Sequence, residues 1–201
     1  STSRRQRQMC IRDRRMDIMK ERKPMIIVFA GPNGSGKSSV TSLAEISGEY
    51  INADEIKKAL HCSDMDAAVK ATDIRYNLLE KNKDFTFETV LSTERNLELL
   101  TKAKQKGYFI KCYYILTTSA DINVMRVHQR FMSGGHDVPE DKVRSRYNKA
   151  LELLPKVIKV CDICNVYDNT VTPFRIFSKK LGTYRLCLLY TSPSPRDISG
   201  S

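Results

Sequence analysis

The chain has 201 residues, of which 41% are hydrophobic and 28% are charged, and its formal net charge is +11. This length fits about one domain with a continuous core, and the apolar content excludes a disordered chain. The longest apolar run, Met25 to Ala30, is far shorter than the roughly 20 residues of a membrane-spanning helix, so we expect no membrane partner.

The two ends of the chain are unusual. Residues 4–14 hold five Arg against Asp13, so they supply +4 of the net charge, and they show neither a signal-peptide pattern nor helical periodicity. Codons that can encode Met9 to Asp13 are the reverse complement of codons that can encode Cys187 to Thr191. One short DNA element translated in opposite directions therefore accounts for both ends, and a basic arm with a Pro/Ser tail is the alternative.

We interpret residues 1–15 and 186–201 as translated sequencing-library adaptors and residues 16–185 as the single domain. Without residues 4–14 the net charge is +7, so we do not expect a nucleic-acid partner. The absence of a secretory signal favours reduced thiols and a cytoplasmic location. Cys161 and Cys164 have zinc-knuckle spacing, but no second pair completes four ligands, so we expect one buried and one half-buried thiol.

From Met25 onward, short β-branched and aromatic runs alternate with longer amphipathic stretches, which is typical of βαβ units in an α/β fold. We expect a mostly parallel sheet of five or six strands, with ligands at the carboxyl ends of the strands. The predicted strands are Met25–Ala30, Tyr50–Asn52, Phe85–Thr89, Tyr108–Leu116, Ile163–Tyr167 and an edge strand at Phe174–Ser178. The predicted helices are Lys37–Ala44, Glu55–Leu60, Ala67–Lys81, Glu94–Lys106, Ala120–Met132 and Glu140–Leu154.

A phosphate-binding motif lies between the first strand and the first helix. The segment Gly31-Pro-Asn-Gly-Ser-Gly-Lys-Ser38 matches G-x-x-x-x-G-K-[ST], in which glycines let backbone N–H groups surround phosphates. Lys37 would reach the β and γ phosphates, and the Ser38 hydroxyl would hold Mg²⁺. The motif predicts a three-layer P-loop NTPase or kinase fold; the alternative is a Gly-rich turn without a ligand. The predicted ATP-binding residues are Gly31, Pro32, Asn33, Gly34, Ser35, Gly36, Lys37, Ser38 and Ser39.

Two other classes of P-loop protein fit the sequence poorly. A GTPase needs N-K-x-D after a strand, whereas Asn82-Lys83-Asp84 places the acid one position early and before a strand. A motor protein has an apolar strand that ends in Asp, whereas the predicted strand Tyr108–Leu116 is followed by Thr117-Thr118. Phosphate transfer to a small molecule is therefore favoured.

Four segments in chain order, Ile26–Ser38, Tyr50–Ile56, Phe85–Thr89 and Gly134–Pro139, resemble the zeta toxin family of P-loop kinases. Characterised members of that family use ATP to phosphorylate UDP-N-acetylglucosamine and are held in check by an antitoxin. The resemblance implies ATP and Mg²⁺ as cofactors, a nucleotide sugar as acceptor and an antitoxin as partner. A kinase of another hydroxyl, on a nucleoside, sugar or protein, and a non-catalytic nucleotide-binding module remain the alternatives.

The resemblance also implies roles for three acceptor-side residues. Asp54 matches the catalytic aspartate of the family, which accepts the proton of the sugar hydroxyl; the alternative is an N-cap of the helix that follows. Glu88 and Thr89 match a family position that contacts the substrate. The alternative for Glu88 is a strand-end carboxylate that faces water.

A helical lid is expected near the γ phosphate. Arg126 and Arg130 lie four apart on a predicted helix that leads into a Gly-Gly turn, and Arg144 and Arg146 follow on the return helix. The family uses two lid arginines to stabilise transferring charge. We favour Arg130 as catalytic, with Arg126 and Arg146 next, and the alternative for each is a solvated helix residue.

Two further residues are weaker candidates. His136, after the Gly-Gly turn, could hydrogen-bond a phosphate or hold the lid backbone. Asn169 follows the last core strand, where related kinases hold the adenine of ATP, so we expect it to contact the nucleotide.

Overall fold

The computed structural model describes residues 22–134 and 138–187. Three parts of the sequence discussed above lie outside those ranges. They are the expected N-terminal tail, His136 and residues 188–201 of the expected C-terminal tail. Within them, none of the helices combines the length and the apolar character needed to cross a bilayer.

Seven strands form one sheet in the order β2-β3-β1-β4-β5-β6-β7. The first five in this order run parallel, β6 pairs antiparallel with β5, and β7 pairs antiparallel with β6. The strands are β1 (Met25–Ala30), β2 (Glu49–Ile51), β3 (Phe85–Thr89), β4 (Phe109–Leu116), β5 (Ile163–Asp168), β6 (Phe174–Lys180) and β7 (Thr183–Leu186). The α/β fold with a mostly parallel sheet is therefore confirmed.

The expected strand count was too low because of β7, which also makes β6 an interior strand rather than the edge. β7 pairs with β6 through a two-residue turn, Leu181-Gly182, in which both residues have positive φ, as a tight hairpin requires. All four residues of β7 are exposed, and a strand of four residues is too short for its alternation of polar and apolar side chains to mark it in the sequence. The strand ends at Leu186, one residue into the expected C-terminal tail.

Six helices accompany the described strands. They are α1 (Lys37–Thr41), α2 (Ala53–Leu60), α3 (Asp64–Glu80), α4 (Glu94–Gln105), α5 (Ala120–Met132) and α6 (Glu140–Val160). α1 ends three residues before the predicted Ala44. α6 continues beyond the predicted end at Leu154 because Leu153 and Val157 are buried on both sides of Pro155, and this packing outweighs the hydrogen bond that proline cannot make.

The main core lies between one face of the sheet and helices α3, α4 and α6. Ile26, Val28 and Ala30 of β1 belong to this core, whereas Phe29 points to the opposite face and stacks on Tyr113 at 5.1 Å between ring centroids. Both faces of β1 are thus buried. This explains why β1 is a continuous apolar run.

The cysteine prediction was only half right. Cys161 and Cys164 are both buried, and Cys164 is paired in register with the buried Cys112. Hydrogen bonds among these three thiols, together with burial, raise the pKa of Cys112. In the part of the chain that the structure describes, no cluster of His, Cys, Asp or Glu has the arrangement of a metal site.

Candidate functional site

The P-loop runs from the end of β1 into α1 and depends on glycine at two close approaches. Gly31 has φ +147°, and a Cβ there would lie 1.9 Å from the Ile115 carbonyl oxygen. Gly36 has φ +86°, and a Cβ there would lie 2.2 Å from Asn169 Nδ2. Only glycine allows the backbone to pass so near its neighbours in these conformations.

Two amides outside the motif anchor the loop. Asn123 Nδ2 donates to the Asn33 carbonyl at 2.6 Å, and Asn169 Nδ2 donates to the Ser35 carbonyl at 2.8 Å. Asn123 is fully buried, and its Oδ1 accepts from the Thr117 hydroxyl. The loop is therefore preorganised by α5 and by the segment after β5. Sequence reasoning missed Asn123, for which no local motif exists.

The side chain of Lys37 folds back over the P-loop. Its Nζ donates to the carbonyls of Gly31 at 2.8 Å and Pro32 at 2.9 Å. Burial lowers its pKa to about 8, although the nearby Glu88 and Asp54 carboxylates partly offset this. The ammonium is thus held at the mouth of the loop with two carboxylates nearby.

Glu88 lies at the centre of a group of hydroxyls. Its Oε1 accepts from Thr41 Oγ1 and from the Tyr50 hydroxyl, each at 2.7 Å, and its Oε2 accepts from Ser38 Oγ at 3.4 Å. Burial and the Glu88 hydrogen bond raise the pKa of Tyr50, so its hydroxyl remains a donor. The Ser38 hydroxyl and the Glu88 carboxylate supply the kind of oxygen ligands that Mg²⁺ prefers, so the donor set fits this ion.

Asp54 lies in the first turn of α2, on the wall of the same crevice. The N-cap of α2 is Asn52, whose Oδ1 accepts from the Asp54 backbone N–H at 3.0 Å. The alternative that Asp54 is the N-cap is therefore wrong. Its carboxylate is exposed to the crevice and close enough to Lys37 to influence that lysine.

The crevice also receives two of the predicted lid arginines, Arg130 from the last turn of α5 and Arg146 from α6. Arg146 Nη1 donates to Asn33 Oδ1 at 3.4 Å, and the charge of Arg130 helps to lower the pKa of Lys37. Both cations therefore lie beside the P-loop.

The other two arginines are engaged elsewhere. Arg126 donates to the Asn169 carbonyl at 2.8 Å and to the Thr170 carbonyl at 2.9 Å, so it holds the segment that anchors the P-loop. Arg144 forms an ion pair with Asp121 at 2.7 Å on the surface between α5 and α6. Arg126 is in a position to shape the loop rather than to face the crevice.

The crevice, with a volume of about 420 Å³, extends from the P-loop toward α3 and α4. The Thr89 hydroxyl stands between the two halves and accepts from the Leu91 backbone N–H at 3.0 Å and from Asn96 Nδ2 at 2.7 Å. The far half was missed by sequence reasoning. Its lining residues include Asp64, Ala67, Ala68, Thr72, Arg75, Ser92, Thr93, Arg95 and Asn96.

The fold is shared with solved structures of low sequence identity. The AvrRxo1-ORF1:-ORF2 complex matches with a TM-score of 0.65 and 13% identity over 82% of this chain. The same complex with ATP matches with a TM-score of 0.63 and 13% identity over 83% of this chain. In both, the chain spans 61% of the matched chain. The PezAT chromosomal toxin-antitoxin system of Streptococcus pneumoniae matches with a TM-score of 0.55 and 11% identity, covering 85% of this chain and 80% of the other.

The strand order, the P-loop and these matches define the fold class: a P-loop α/β fold that the chain shares with these solved structures. No protein-family model matches the sequence. A Haemophilus influenzae protein, described as uncharacterized, is 31% identical over 127 residues, which cover 60% of this chain and 91% of that protein. The chain belongs to the same family as this H. influenzae protein.

Proposed function

We propose that the protein is a cytoplasmic kinase that transfers the γ phosphate of Mg·ATP to a hydroxyl of UDP-N-acetylglucosamine or a related nucleotide sugar. The observation that carries the proposal is the single crevice into which Lys37, Glu88 and Asp54 all project. One half of this crevice has the P-loop, and the other half offers room for a second substrate. A purely nucleotide-binding module would need no carboxylate such as Asp54 in the crevice near Lys37.

The P-loop half would bind the triphosphate. Backbone N–H groups between Gly31 and Ser38 would surround the phosphates, and Lys37 would exchange its two carbonyl partners for phosphate oxygens. With a pKa of about 8, Lys37 is mostly protonated at neutral pH. Asn169, fixed on the loop by Ser35, would stand near the nucleotide. A bound Mg²⁺, held through Ser38 and Glu88, would supply positive charge to the phosphate oxygens.

Asp54 would act on the acceptor. As the acceptor oxygen forms its bond to the γ phosphorus, the bond from that phosphorus to the bridging oxygen of ADP breaks, and Asp54 takes the hydroxyl proton. Arg130 and Arg146, which line the crevice beside the P-loop, would neutralise charge on the transferring group. Glu88 and Thr89 stand where the acceptor would meet the triphosphate.

The nucleotide-sugar acceptor and a protein antitoxin come from the resemblance to zeta toxins. The similarity to the PezAT toxin-antitoxin system supports the antitoxin partner at the level of the fold. The acceptor half of the crevice also supports it, because the small side chains Ala67 and Ala68 leave space for a ligand larger than a simple alcohol.

The test is phosphate transfer by the full chain. Mg·ATP is incubated with UDP-sugars, nucleosides and free sugars, and the products are identified by mass spectrometry. We expect a UDP-sugar to gain one phosphate, with loss of activity in Asp54→Asn and retention in the matched control Glu55→Gln, which changes an exposed carboxylate of the same helix turn. Transfer only to nucleosides or free sugars would contradict the acceptor, and no transfer at all would contradict the kinase.

A further inference from the structure

Arg75 is a buried cation in an apolar helix face. The residues Ala67, Ala71, Arg75 and Leu79 recur every four positions and form the buried stripe of α3. Arg75 is only 5% exposed, and its guanidinium carbon lies 4.7 Å from the centre of the Phe87 ring. Its Nη1 donates to Asn96 Oδ1 at 2.8 Å, which fixes the guanidinium against the first turn of α4.

The charge of this arginine is uncompensated. Within residues 22–134 and 138–187, no carboxylate lies within ion-pair distance of Arg75, and its buried Nε has no hydrogen-bond partner. Burial lowers its pKa to about 10, so the group is still a cation at neutral pH. A buried cation with an idle donor is costly unless an anion pairs with it.

The surroundings of Arg75 lack the anion but have further donors. Thr93, the N-cap of α4, makes no side-chain capping hydrogen bond, so the first N–H groups of this 12-residue helix are not capped by a side chain. Arg95 and Asn96 of the same turn line the crevice beside Arg75. The one acid of that turn, Glu94, is directed away to Lys156 at 2.7 Å.

The carboxylates of the crevice lie elsewhere or are already paired. Asp54 and Glu88 are the two whose charges act on Lys37, at the P-loop half. Asp64, on the first turn of α3, forms an ion pair with Lys57 at 2.6 Å. The end of the crevice at Arg75 is therefore the positive end of the acceptor half.

We propose that Arg75 and the first turn of α4 bind a phosphate group that the acceptor already carries, separate from the phosphates of ATP. The inference rests on the proposed kinase function and assigns to Arg75 and α4 the recognition of a phosphate on the acceptor, so that a neutral alcohol would be a poor substrate. Phosphate fits better than carboxylate because donors approach from two directions, the guanidinium edge and the helix N–H groups, and tetrahedral oxygens can meet both.

A binding experiment tests the subsite without requiring catalysis. Full-length protein is saturated with Mg²⁺ and a non-hydrolysable ATP analogue, which occupies the P-loop, and binding of radiolabelled orthophosphate is measured by equilibrium dialysis. We expect one remaining phosphate site, at least tenfold weaker in Arg75→Met and in Arg75→Lys, which lacks the Nε donor. The control Arg144→Met, which changes a surface arginine outside the crevice, should bind as the wild type does.

Two outcomes of this binding experiment would contradict the proposed phosphate subsite. Equal phosphate binding by wild type and both Arg75 variants would show that Arg75 is only structural, and displacement by acetate as readily as by methyl phosphate would contradict the choice of phosphate. Thermal unfolding gives a second readout, because phosphate should stabilise the wild type but not the variants. If Arg75→Met does not fold, Arg75→Lys carries the comparison.

Transfer kinetics separate this inference from the proposed function. UDP-N-acetylglucosamine is compared with N-acetylglucosamine, and uridine monophosphate with uridine. A higher kcat/KM for the phosphorylated member of a pair, abolished in Arg75→Lys through KM, supports the subsite. Transfer with no preference for phosphorylated acceptors contradicts the subsite but leaves the kinase intact, whereas phosphate binding at Arg75 without any transfer contradicts only the kinase.

Discussion

Lys37 shows how burial prepares a side chain for an anion. In the structure its ammonium is satisfied by two backbone carbonyls, and burial brings its pKa down to about 8. Binding of a triphosphate must raise that pKa again, because the protonated amine gains negative partners. The affinity for ATP is therefore linked to the protonation of Lys37.

This linkage predicts a pH dependence of ATP binding. Between about pH 7 and 8, where free Lys37 is mostly protonated and the phosphates of ATP are ionised, the affinity should change little. Above pH 8 it should fall by up to about tenfold per pH unit, because binding must then take up a proton. Calorimetric titration of ATP across this range measures the effect. Lys37→Met should bind ATP more weakly and without this dependence; a wild-type affinity that stays flat above pH 8 would contradict the assignment.

A second prediction concerns Gly36. Alanine there would place its methyl group 2.2 Å from Asn169 Nδ2 and would keep an unfavourable φ of +86°. We expect Gly36→Ala to lose ATP binding, and Gly36→Ala with Asn169→Ala to recover it only in part, because the φ strain of about 1–2 kcal/mol remains and the hydrogen bond from Asn169 to Ser35 is lost. Dissociation constants for ATP measure this. Full recovery of ATP affinity in the double variant would mean that only the contact with Asn169, and not the φ of residue 36, requires glycine.

At the scale of elements, the crevice depends on how α3 is fixed to the sheet. The Tyr108 hydroxyl lies 3.2 Å from the Leu78 carbonyl, 3.3 Å from that of Leu79 and 3.1 Å from that of Lys83, at the end of α3. Tyr108 is itself buried against the core at the start of β4. The side chain of Tyr108 thus joins α3 to the central sheet.

Removal of the Tyr108 hydroxyl should lower the stability of the fold without creating a cavity. We expect Tyr108→Phe to lower the free energy of unfolding by about 1–2 kcal/mol, because buried carbonyls lose a donor. Urea denaturation measures the change, and Tyr184→Phe, at an exposed position of β7, is the matched control. Equal stability of the two variants would show that the Tyr108 hydroxyl does not hold α3.

Most elements could be predicted from the sequence, because apolar periodicity determines them. β1, β3 and α5 have the predicted bounds, since each has a clear apolar pattern and a turn or cap at its ends. β7 could not be predicted because it has no buried face. The length of α6 could not be predicted either, because a local rule about Pro155 was outweighed by tertiary packing.

At the scale of the whole molecule, the site is assembled from distant parts of the chain. The P-loop was predictable because its residues are contiguous, whereas Asp54 and Glu88 were predicted from the resemblance to zeta toxins. Both lie at the carboxyl ends of the neighbouring strands β2 and β3. The burial of Arg75 and the anchoring role of Asn123 depend on packing between elements. A charged residue on the apolar stripe of α3 was the one sequence signal that could have pointed to Arg75.

The domain limits give a prediction at the same scale. If residues 1–15 and 186–201 are translated adaptor sequence, a chain of residues 16–187, which keeps the whole of β7, should unfold at the same temperature and bind ATP with the same affinity as the full chain. A chain that ends at residue 182 should be less stable, because it loses β7 and leaves β6 as an unpaired edge. Thermal unfolding measures both, and loss of stability in the 16–187 chain would contradict the limits.

The most direct measurement is single-turnover phosphate transfer from Mg·ATP to UDP-N-acetylglucosamine by wild type and Asp54→Asn, with ATP affinity measured in parallel. If Asp54 takes the hydroxyl proton in the crevice beside Lys37, the variant should bind ATP as the wild type does and transfer phosphate about 10²–10⁴ times more slowly. Transfer by Asp54→Asn at the wild-type rate, or no transfer by the wild type to any hydroxyl acceptor, would contradict this function.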